Sequence, residues 1–310
     1  MLHLDAQQLA ARLPRRALID ALERAFRQHT EVPPRQHHAI GAQGAGEASL
    51  LIMPAWHDAA LGVKLVTVCP QNSARGESAV HATYTLFDAR TGVPRATMDG
   101  SELTRRRTGA ASALAARYLA DAEASRLLMI GCGAMAAHVI ESHAVVRPIR
   151  EVRIWGRRAD RARNLAAGLA RTAPAYSLEA TEDLEGAVRW ADIISCATLA
   201  TSPLVRGAWL RSGQHLDLIG SFRPDMREAD EEALLLADIY VDTRGGALRE
   251  SGELAQAMAS GALTPADIRG ELCDLAGGSV PGRTSPRQIT LFKSVGTAIE
   301  DLAAAELALA

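Results

Sequence analysis

Residues 127–136 read Leu-Leu-Met-Ile-Gly-Cys-Gly-Ala-Met-Ala, an apolar run that leads directly into a G-x-G-x-x-A loop. The pattern predicts a strand, a tight turn and a helix, which is the context in which such a loop binds a dinucleotide. Gly131 permits the turn, Gly133 lets a pyrophosphate approach the backbone, and Ala136 is small enough for the helix to pack on the sheet. The predicted cofactor contacts of this loop are Gly131, Gly133, Ala134, Met135 and Ala136.

The residues after the next predicted strand indicate which dinucleotide binds. That strand is followed by Gly156-Arg157-Arg158, whereas a site for NAD usually carries an acidic residue here. A guanidinium can bind a 2′-phosphate through two hydrogen bonds, so the two arginines favour NADP(H) over NAD(H). Asp160 lies close by and leaves NADH open, and both arginines could instead be solvated charges at a helix start. Thr198 follows a later strand, at the edge where the cofactor crosses, or else is an ordinary turn residue.

The pattern around this loop predicts an α/β fold. Between residues 119 and 287, short apolar strands alternate with helices, which is typical of a doubly wound parallel sheet of the Rossmann type. Residues 1–118 combine a helix over the first thirty residues, antiparallel strand-like segments and a long helix that Ser101 would cap. Residues 288–310 are predicted to return to this part and complete a discontinuous α+β domain. A small glycine-rich stretch lies at Gly41–Gly46.

Composition excludes several classes of protein. The 310 residues are 48% hydrophobic and 23% charged with a net charge of −2, which is ordinary globular composition and argues against nucleic-acid or membrane-surface binding. No apolar run approaches the roughly 18 residues of a membrane span, and the first residues lack the apolar core of a secretory signal. The four cysteines are widely spaced without a metal-ligand pattern, so we expect no metal and a cytoplasmic location.

Two of the 34 basic residues are lysines, Lys64 and Lys293, and the rest are arginines. Lysine is a compact charge whose pKa shifts on burial, and arginine does not replace it in that role. Lys64 lies among apolar strand residues, where a buried lysine needs a partner or a shifted pKa. With Arg35 and Arg107 it would suit an anionic substrate such as an α-carboxylate. Lys293 precedes the last helix and could equally hold that helix in place.

Over nearly its whole length, the chain resembles the ornithine cyclodeaminase/mu-crystallin family. Seven pieces carry the resemblance together, and none is specific alone. They are Pro34-Arg35, Met53-Pro54-Ala55, Val63-Lys64-Leu65-Val66-Thr67, Met98-Asp99-Gly100, Arg107-Thr108-x-Ala110-x-Ser112-Ala113, the glycine loop, and Leu291-Phe292-Lys293-Ser294-x-Gly296.

The resemblance implies a homodimer with two domains. It implies a substrate-binding and dimerisation domain, here residues 1–118 and 288–310, and a Rossmann domain, here residues 119–287. It also implies that Arg35, Lys64 and Arg107 hold the substrate carboxylate or polarise the carbon that bears the reacting nitrogen. Thr108 is then expected near the cofactor phosphates.

One departure separates the branches of this family. Members that perform cyclodeamination carry an aspartate at the position of Phe222, and phenylalanine can neither bind an ammonium nor move a proton. Asp225, three residues later, could replace that carboxylate. The surrounding string Arg-Pro-Asp-x-Arg-Glu-x-Asp, residues 223–230, resembles the mu-crystallin and ketimine-reductase branch instead.

We therefore expect an NAD(P)H-dependent reductase of cyclic imino acids, such as Δ1-pyrroline-2-carboxylate, that transfers hydride to a C=N carbon. Three alternatives remain open at this point. They are an ornithine cyclodeaminase that converts L-ornithine to L-proline and ammonia with NAD+, an oxidoreductase of open-chain amino acids like alanine dehydrogenase, and an NADPH-regulated protein that binds small ligands.

Overall fold

The computed structural model describes residues 1–40, 48–172 and 174–310, so the glycine-rich stretch Gly41–Gly46 lies outside the described residues. The chain divides into two compact units. The first unit contains Met1–Arg107 and Thr297–Ala310, and the second contains Thr108–Gly296.

The first unit is built on a six-stranded sheet. In the sheet the order is β1-β6-β5-β4-β3-β2, and all neighbours are antiparallel except β1 and β6. The strands are β1 (Leu2–Leu4), β2 (Gln36–Ile40), β3 (Ala48–Trp56), β4 (Ala60–Val68), β5 (Val80–Asp88) and β6 (Pro94–Asp99). The helices are α1 (Ala6–Arg12), α2 (Arg15–Arg27), the start of α3 (Gly100–Leu119) and α11 (Ala298–Leu309).

Alternation along β4 decides which of its side chains are buried. Successive residues of a strand point to opposite faces of the sheet. Gly62, Lys64 and Val66 are buried, whereas Leu65 is exposed. The buried face of the sheet meets α11, which also packs on α2. Lys64 therefore shares the apolar face of its strand and lies beneath the last helix.

The second unit is built on an eight-stranded parallel sheet with the order β13-β12-β14-β11-β10-β7-β8-β9. The strands are β7 (Arg126–Ile130), β8 (Glu151–Trp155), β9 (Ser177–Thr181), β10 (Ile193–Cys196), β11 (His215–Leu218), β12 (Asp238–Val241), β13 (Ile268–Glu271) and β14 (Thr290–Lys293). The helices are the rest of α3, α4 (Ala136–Val146), α5 (Ala159–Ala170), α6 (Leu184–Trp190), α7 (Glu231–Leu235), α8 (Arg244–Glu250), α9 (Gly252–Ala259) and α10 (Leu272–Gly277).

Strand β7 shows why this sheet is covered on both faces. Leu127 and Met129 belong to one hydrophobic cluster, together with residues of α4 and α5. Leu128 and Ile130 belong to another, together with residues of α6, α7 and α9. The sheet order reverses between β7 and β10, and in doubly wound sheets ligands bind at the carboxyl ends of the strands next to such a point. The predicted α/β class with a Rossmann-type parallel sheet is confirmed.

One segment lies in a different unit from the one that the sequence predicts. Residues 288–310 were expected to join the N-terminal part as a whole, but Thr290–Lys293 lies between β11 and β12 in the second sheet. The four residues of this strand are fully buried. In this central position the backbone N–H and C=O groups on both edges of the strand pair with neighbouring strands. Only from Thr297 does the chain join the first unit, and the boundary near residue 118 moves to Arg107.

Helix ends also differ from the prediction. Helix α3 begins at Gly100, and its N-cap is Asp99 rather than Ser101, because the Asp99 carboxylate accepts the N–H of Glu102 at 2.7 Å. The N-terminal helix is broken before Arg15, since Pro14 has no N–H to donate to a continuous helix. The last helix extends over Ala298–Leu309.

Among the described helices, none combines the length and the apolar character needed to cross a membrane.

Candidate active site

The first unit holds Lys64 in a buried cluster of charges. Lys64 is 1% exposed, and its Nζ lies 2.7 Å from Oδ2 of Asp301 at the start of α11. Arg107, on α3, donates from Nε to Oδ1 of the same aspartate at 3.0 Å and also pairs with Glu300. Asp301 thus receives an ammonium on one oxygen and a guanidinium on the other, which orients both cations.

The three cations that the sequence singled out, Lys64, Arg107 and Arg35, interact electrostatically in this cluster. Burial lowers the pKa of Lys64 to about 8, Asp301 opposes that shift, and the positive charges of Arg107 and Arg35 add to it. Arg35 is half-buried and within electrostatic range of the lysine. Burial alone would raise the pKa of Asp301, but Lys64 and Arg107 outweigh it, and the net shift is downward. An ionised aspartate beside a lysine with a pKa near 8 makes a proton available close to neutral pH.

Tyr84 lies on the neighbouring strand, directly across from Lys64. Its side chain is buried, and its pKa is raised, chiefly by burial and then by the negative charges of Asp301 and Glu306. A Cβ at Gly62 would lie 1.7 Å from the Tyr84 hydroxyl oxygen, so a glycine is required there. The phenol therefore fills the space beside the lysine as a neutral group.

Sequence reasoning missed Asp301, Glu300 and Tyr84. The two acids follow the Lys-Ser-x-Gly segment by a few residues, in a region that resembles an ordinary amphipathic helix. A signal was present, because paired acids among the alanines of a helix that is buried over most of its length require cationic partners. That signal does not identify the partners.

The glycine loop of the second unit has the geometry that its sequence predicts. Gly131 has φ +114°, a conformation that favours glycine, and its N–H donates to the Trp155 carbonyl at 2.8 Å. A Cβ at Gly131 would lie 2.6 Å from the Ala197 carbonyl oxygen, whereas nothing lies within 4 Å of a Cβ position at Gly133. The backbone at Gly133 is thus open to a ligand.

Helix α4 follows this loop and begins at Ala136. Met135 takes the N-cap position without a side-chain hydrogen bond, Ala134 is exposed, and Ala136 is buried on the sheet. The start of a helix behind an open glycine backbone fits the pyrophosphate of a dinucleotide, because the helix dipole favours an anion there. When bound, such a cofactor supplies or accepts hydride.

The Gly156-Arg157-Arg158 segment leads from β8 into α5. A Cβ at Gly156 would lie 2.6 Å from the Cys132 sulfur, so no acidic side chain fits there without a shift of Cys132. Arg157 and Arg158 are both exposed, and Arg158 donates to Asp160 at 3.2 Å. Position 156 is thus held by glycine, and two exposed arginines follow it.

The two threonines of the predicted cofactor site lie in different settings. Thr198 follows β10, and both its N–H and its hydroxyl donate to Glu228, at 2.7 and 2.8 Å. Its hydroxyl is therefore engaged by protein, a contact that the sequence did not predict. Thr108 is half-buried on α3 at the start of the second unit.

The position that distinguishes cyclodeaminases carries no acid. Phe222 is half-buried in the loop after β11. Asp225 is exposed, and its carboxylate binds the Arg223 guanidinium at 2.7 and 2.9 Å. A surface carboxylate held by a neighbouring arginine is a poor substitute for a buried acid–base group.

Comparison with known proteins identifies relatives of this chain. The profile of the ornithine cyclodeaminase/mu-crystallin family matches residues 4–308. The Δ1-pyrroline-2-carboxylate reductase of Colwellia psychrerythraea is 35% identical and matches 97% of this chain and 96% of its own length. The ketimine reductase mu-crystallin of Rattus norvegicus is also 35% identical, over 90% of this chain and 82% of its own.

A solved structure shares the whole fold. Thermococcus litoralis Δ1-pyrroline-2-carboxylate reductase, in complex with NADH and L-proline, superposes with a TM-score of 0.94 at 33% identity. The match covers 99% of this chain and 96% of that one. Together with the glycine loop, the buried lysine cluster and the profile match, this shows that the chain belongs to the ornithine cyclodeaminase/mu-crystallin family.

Proposed function

We propose that this protein is an NAD(P)H-dependent reductase of cyclic imino acids of the Δ1-pyrroline-2-carboxylate and ketimine type. The observation that carries the proposal is the buried group of Lys64, Arg107 and Asp301, with phenylalanine at position 222. This group offers positive charge and one proton, its aspartate is already paired with Lys64 and Arg107, and position 222 supplies no further carboxylate. The related reductases named above act on such imines.

The proposed chemistry adds one hydride and one proton to a C=N bond. Arg35 and Arg107 bind the substrate carboxylate, since guanidinium groups match its two oxygens. Lys64 donates a proton to the imine nitrogen, which makes the adjacent carbon a better hydride acceptor. Asp301 keeps the lysine charged and oriented until that transfer. Bound NAD(P)H supplies the hydride, and the product is the cyclic amino acid.

For the cofactor we propose a preference for NADP(H) over NAD(H). The glycine loop from Gly131 to Ala136 supports a dinucleotide of either kind. The supporting observation for the phosphate is the pair Arg157 and Arg158 with glycine at position 156. Asp160 competes for one of the two guanidinium groups, so Arg157 is expected to contribute more.

The two units have separate roles in this proposal. The first unit binds the substrate and forms a homodimer, and the second unit binds the dinucleotide, with Thr108 near its phosphates. Support for a dimer comes from the outer face of β4, where Leu65 is 40% exposed and pairs with Ile52 and Thr83 on the neighbouring strands. We propose that a second copy covers this face. An archaeal alanine dehydrogenase that is 30% identical is a dimer. Leu65→Glu should then shift the sedimentation coefficient from dimer to monomer.

The proposal is tested by NADPH oxidation with a panel of cyclic imino acids, run beside ammonia release from L-ornithine with catalytic NAD+. We expect turnover with Δ1-pyrroline-2-carboxylate or its six-membered analogue and no ammonia. Ammonia release would instead identify a cyclodeaminase, and NAD+-dependent oxidation of L-alanine an amino-acid dehydrogenase. Tight NADPH binding without turnover on any of these substrates would identify a ligand-binding protein.

A further inference from the structure

Glu228 connects the ends of two adjacent strands in the second unit. Its side chain is fully buried. One carboxylate oxygen accepts the N–H and hydroxyl of Thr198, after β10, and the other accepts the N–H of Gly220, after β11, at 2.7 Å. A single carboxylate thus fixes the backbone at both strand ends.

The contact between these two ends leaves no room for a side chain. A Cβ at Gly220 would lie 2.2 Å from both the N and the O of Thr198, and 2.3 Å from Oε1 of Glu228. The glycine is therefore required by close approach rather than by a positive φ. The two loops and the carboxylate are therefore packed tightly against one another.

Glu253, at the start of α9, holds Glu228 in turn. Its Oε1 accepts the N–H of Glu228 at 2.6 Å, and its Oε2 accepts the hydroxyls of Ser221 and Ser251. Lys293, the last residue of β14, places its Nζ 3.6 Å from Oε2 of Glu253. All three charged side chains are fully buried, so the lysine balances part of a charge that water does not reach.

This network lies where a dinucleotide crosses the sheet. The order of strands reverses between β7 and β10, and the cofactor of a doubly wound sheet lies over the carboxyl ends beside that point. Thr198 and Gly220 follow β10 and the next strand, on the side away from β8 and β9. A loop already held by buried charges needs no ordering when the ligand binds, which favours affinity.

We infer that Glu228 is a positioning residue for the nicotinamide cofactor, which holds the loops after β10 and β11 in their binding conformation, with Glu253 and Lys293 as its support. This inference rests on the proposed function, since it requires that the second unit binds NAD(P)H. Glu228 does not itself contact the cofactor in this role.

The test compares Glu228→Gln with Glu271→Gln. Glutamine keeps the size of the side chain, but its NH2 group must oppose either the Gly220 N–H or the two donors of Thr198. Glu271 is the matched control, because its carboxylate also accepts a backbone N–H, from Arg244, at the end of β13, four strands away from β10. For each protein we would measure the Kd of NADPH by titration, both KM values, kcat and the melting temperature.

We expect Glu228→Gln to raise the Kd and KM for NADPH by about tenfold or more, a typical effect of losing hydrogen bonds to a charged group. The KM for the imine should stay within about twofold, and Glu271→Gln should leave the Kd for NADPH within about twofold. A merely structural role would lower the melting temperature without this split between the two KM values.

Three outcomes would overturn the inference. One is an unchanged Kd in Glu228→Gln, and another is an equal rise in the Glu271→Gln control. Should Glu228→Gln fail to fold, Thr198→Val takes its place, because it removes only the hydroxyl bond; a Kd equal to that of the wild type would then count against the inference. If the wild type itself binds neither NADPH nor NADH, the proposed function and this inference both fail. Titration of the wild type with each cofactor distinguishes this outcome from failure of the inference alone.

Discussion

The two lysines of this chain are both buried beside a carboxylate, yet the charged groups around them differ. Lys64 is 2.7 Å from Asp301, and Arg107 and Arg35 add further positive charge. Lys293 is 3.6 Å from Glu253, and it also acts electrostatically on Glu228. The first lysine shares its acid with another cation, whereas the second is outnumbered by acids.

This difference separates two uses of one residue type. Burial lowers the pKa of Lys64, the positive charges of Arg107 and Arg35 add to that shift, and Asp301 opposes it. A buried lysine with further cations near it suits a site that binds a carboxylate and gives up a proton. Around Lys293 the carboxylates accept hydrogen bonds from the backbone of neighbouring loops, and the lysine compensates their charge. We therefore expect chemistry to depend on Lys64 and stability on Lys293.

The largest effect should come from Lys64→Met. Loss of a general acid lowers turnover by about 10² to 10⁴-fold. We expect imine reduction to fall by this amount while the Kd of NADPH, measured by titration, changes little. Undiminished turnover in this variant would remove Lys64 from the mechanism.

Lys293→Met should lower the stability of the protein more than Lys64→Met does. It leaves Glu253 and Glu228 buried without their counter-charge, and breaking a buried ion pair costs about 3–5 kcal/mol. Urea unfolding should show a loss of this size, larger than the loss in Lys64→Met, where Arg107 still compensates Asp301. Equal losses in both variants would contradict the comparison. Replacing Glu253 by glutamine in the Lys293→Met background should restore part of the stability.

The pH dependence of the rate should identify the lysine as the acid. Since the ammonium form is needed, kcat/KM should fall as the pH rises through about 8, the pKa to which burial lowers Lys64. The negative charge of Asp301 raises that pKa, so Asp301→Asn should move the fall to lower pH by about one unit or more. Glu300→Gln is the control, because Glu300 binds Arg107 rather than Lys64. A fall at the same pH in all three proteins would exclude Lys64 as the titrating group.

The smallest effect concerns the choice of cofactor. Arg157→Ser should raise the KM of NADPH by about fivefold, the upper range for an exposed ion pair, and leave the KM of NADH unchanged. Arg163→Ser is the matched control, since Arg163 lies further along α5 and pairs with Glu182. Steady-state kinetics with both cofactors check the prediction, and equal changes for NADPH and NADH would refute a phosphate contact.

Much of the fold could be predicted because its signals are local. The glycine loop, the alternation along β4 and the rhythm of strands and helices each lie within a short window of sequence. Short polar strands such as β9 (Ser177–Thr181) were missed, because little in their composition separates them from loops. The place of Thr290–Lys293 in the second sheet was not predicted, since a strand pattern carries no information about its neighbours.

The sequence by itself determined the glycine loop and the family, and it singled out Lys64 as a candidate site residue. Only the tertiary structure decided the partners of the two lysines. Arg107 and Asp301 are 194 residues apart in the chain, and they meet because the last helix packs on the buried face of the first sheet. Local patterns record which side chains are buried, whereas the pairing of buried charges depends on how distant elements pack. Because of that packing, Lys64 shares Asp301 with Arg107, whereas Lys293 lies near two acids, Glu253 and Glu228.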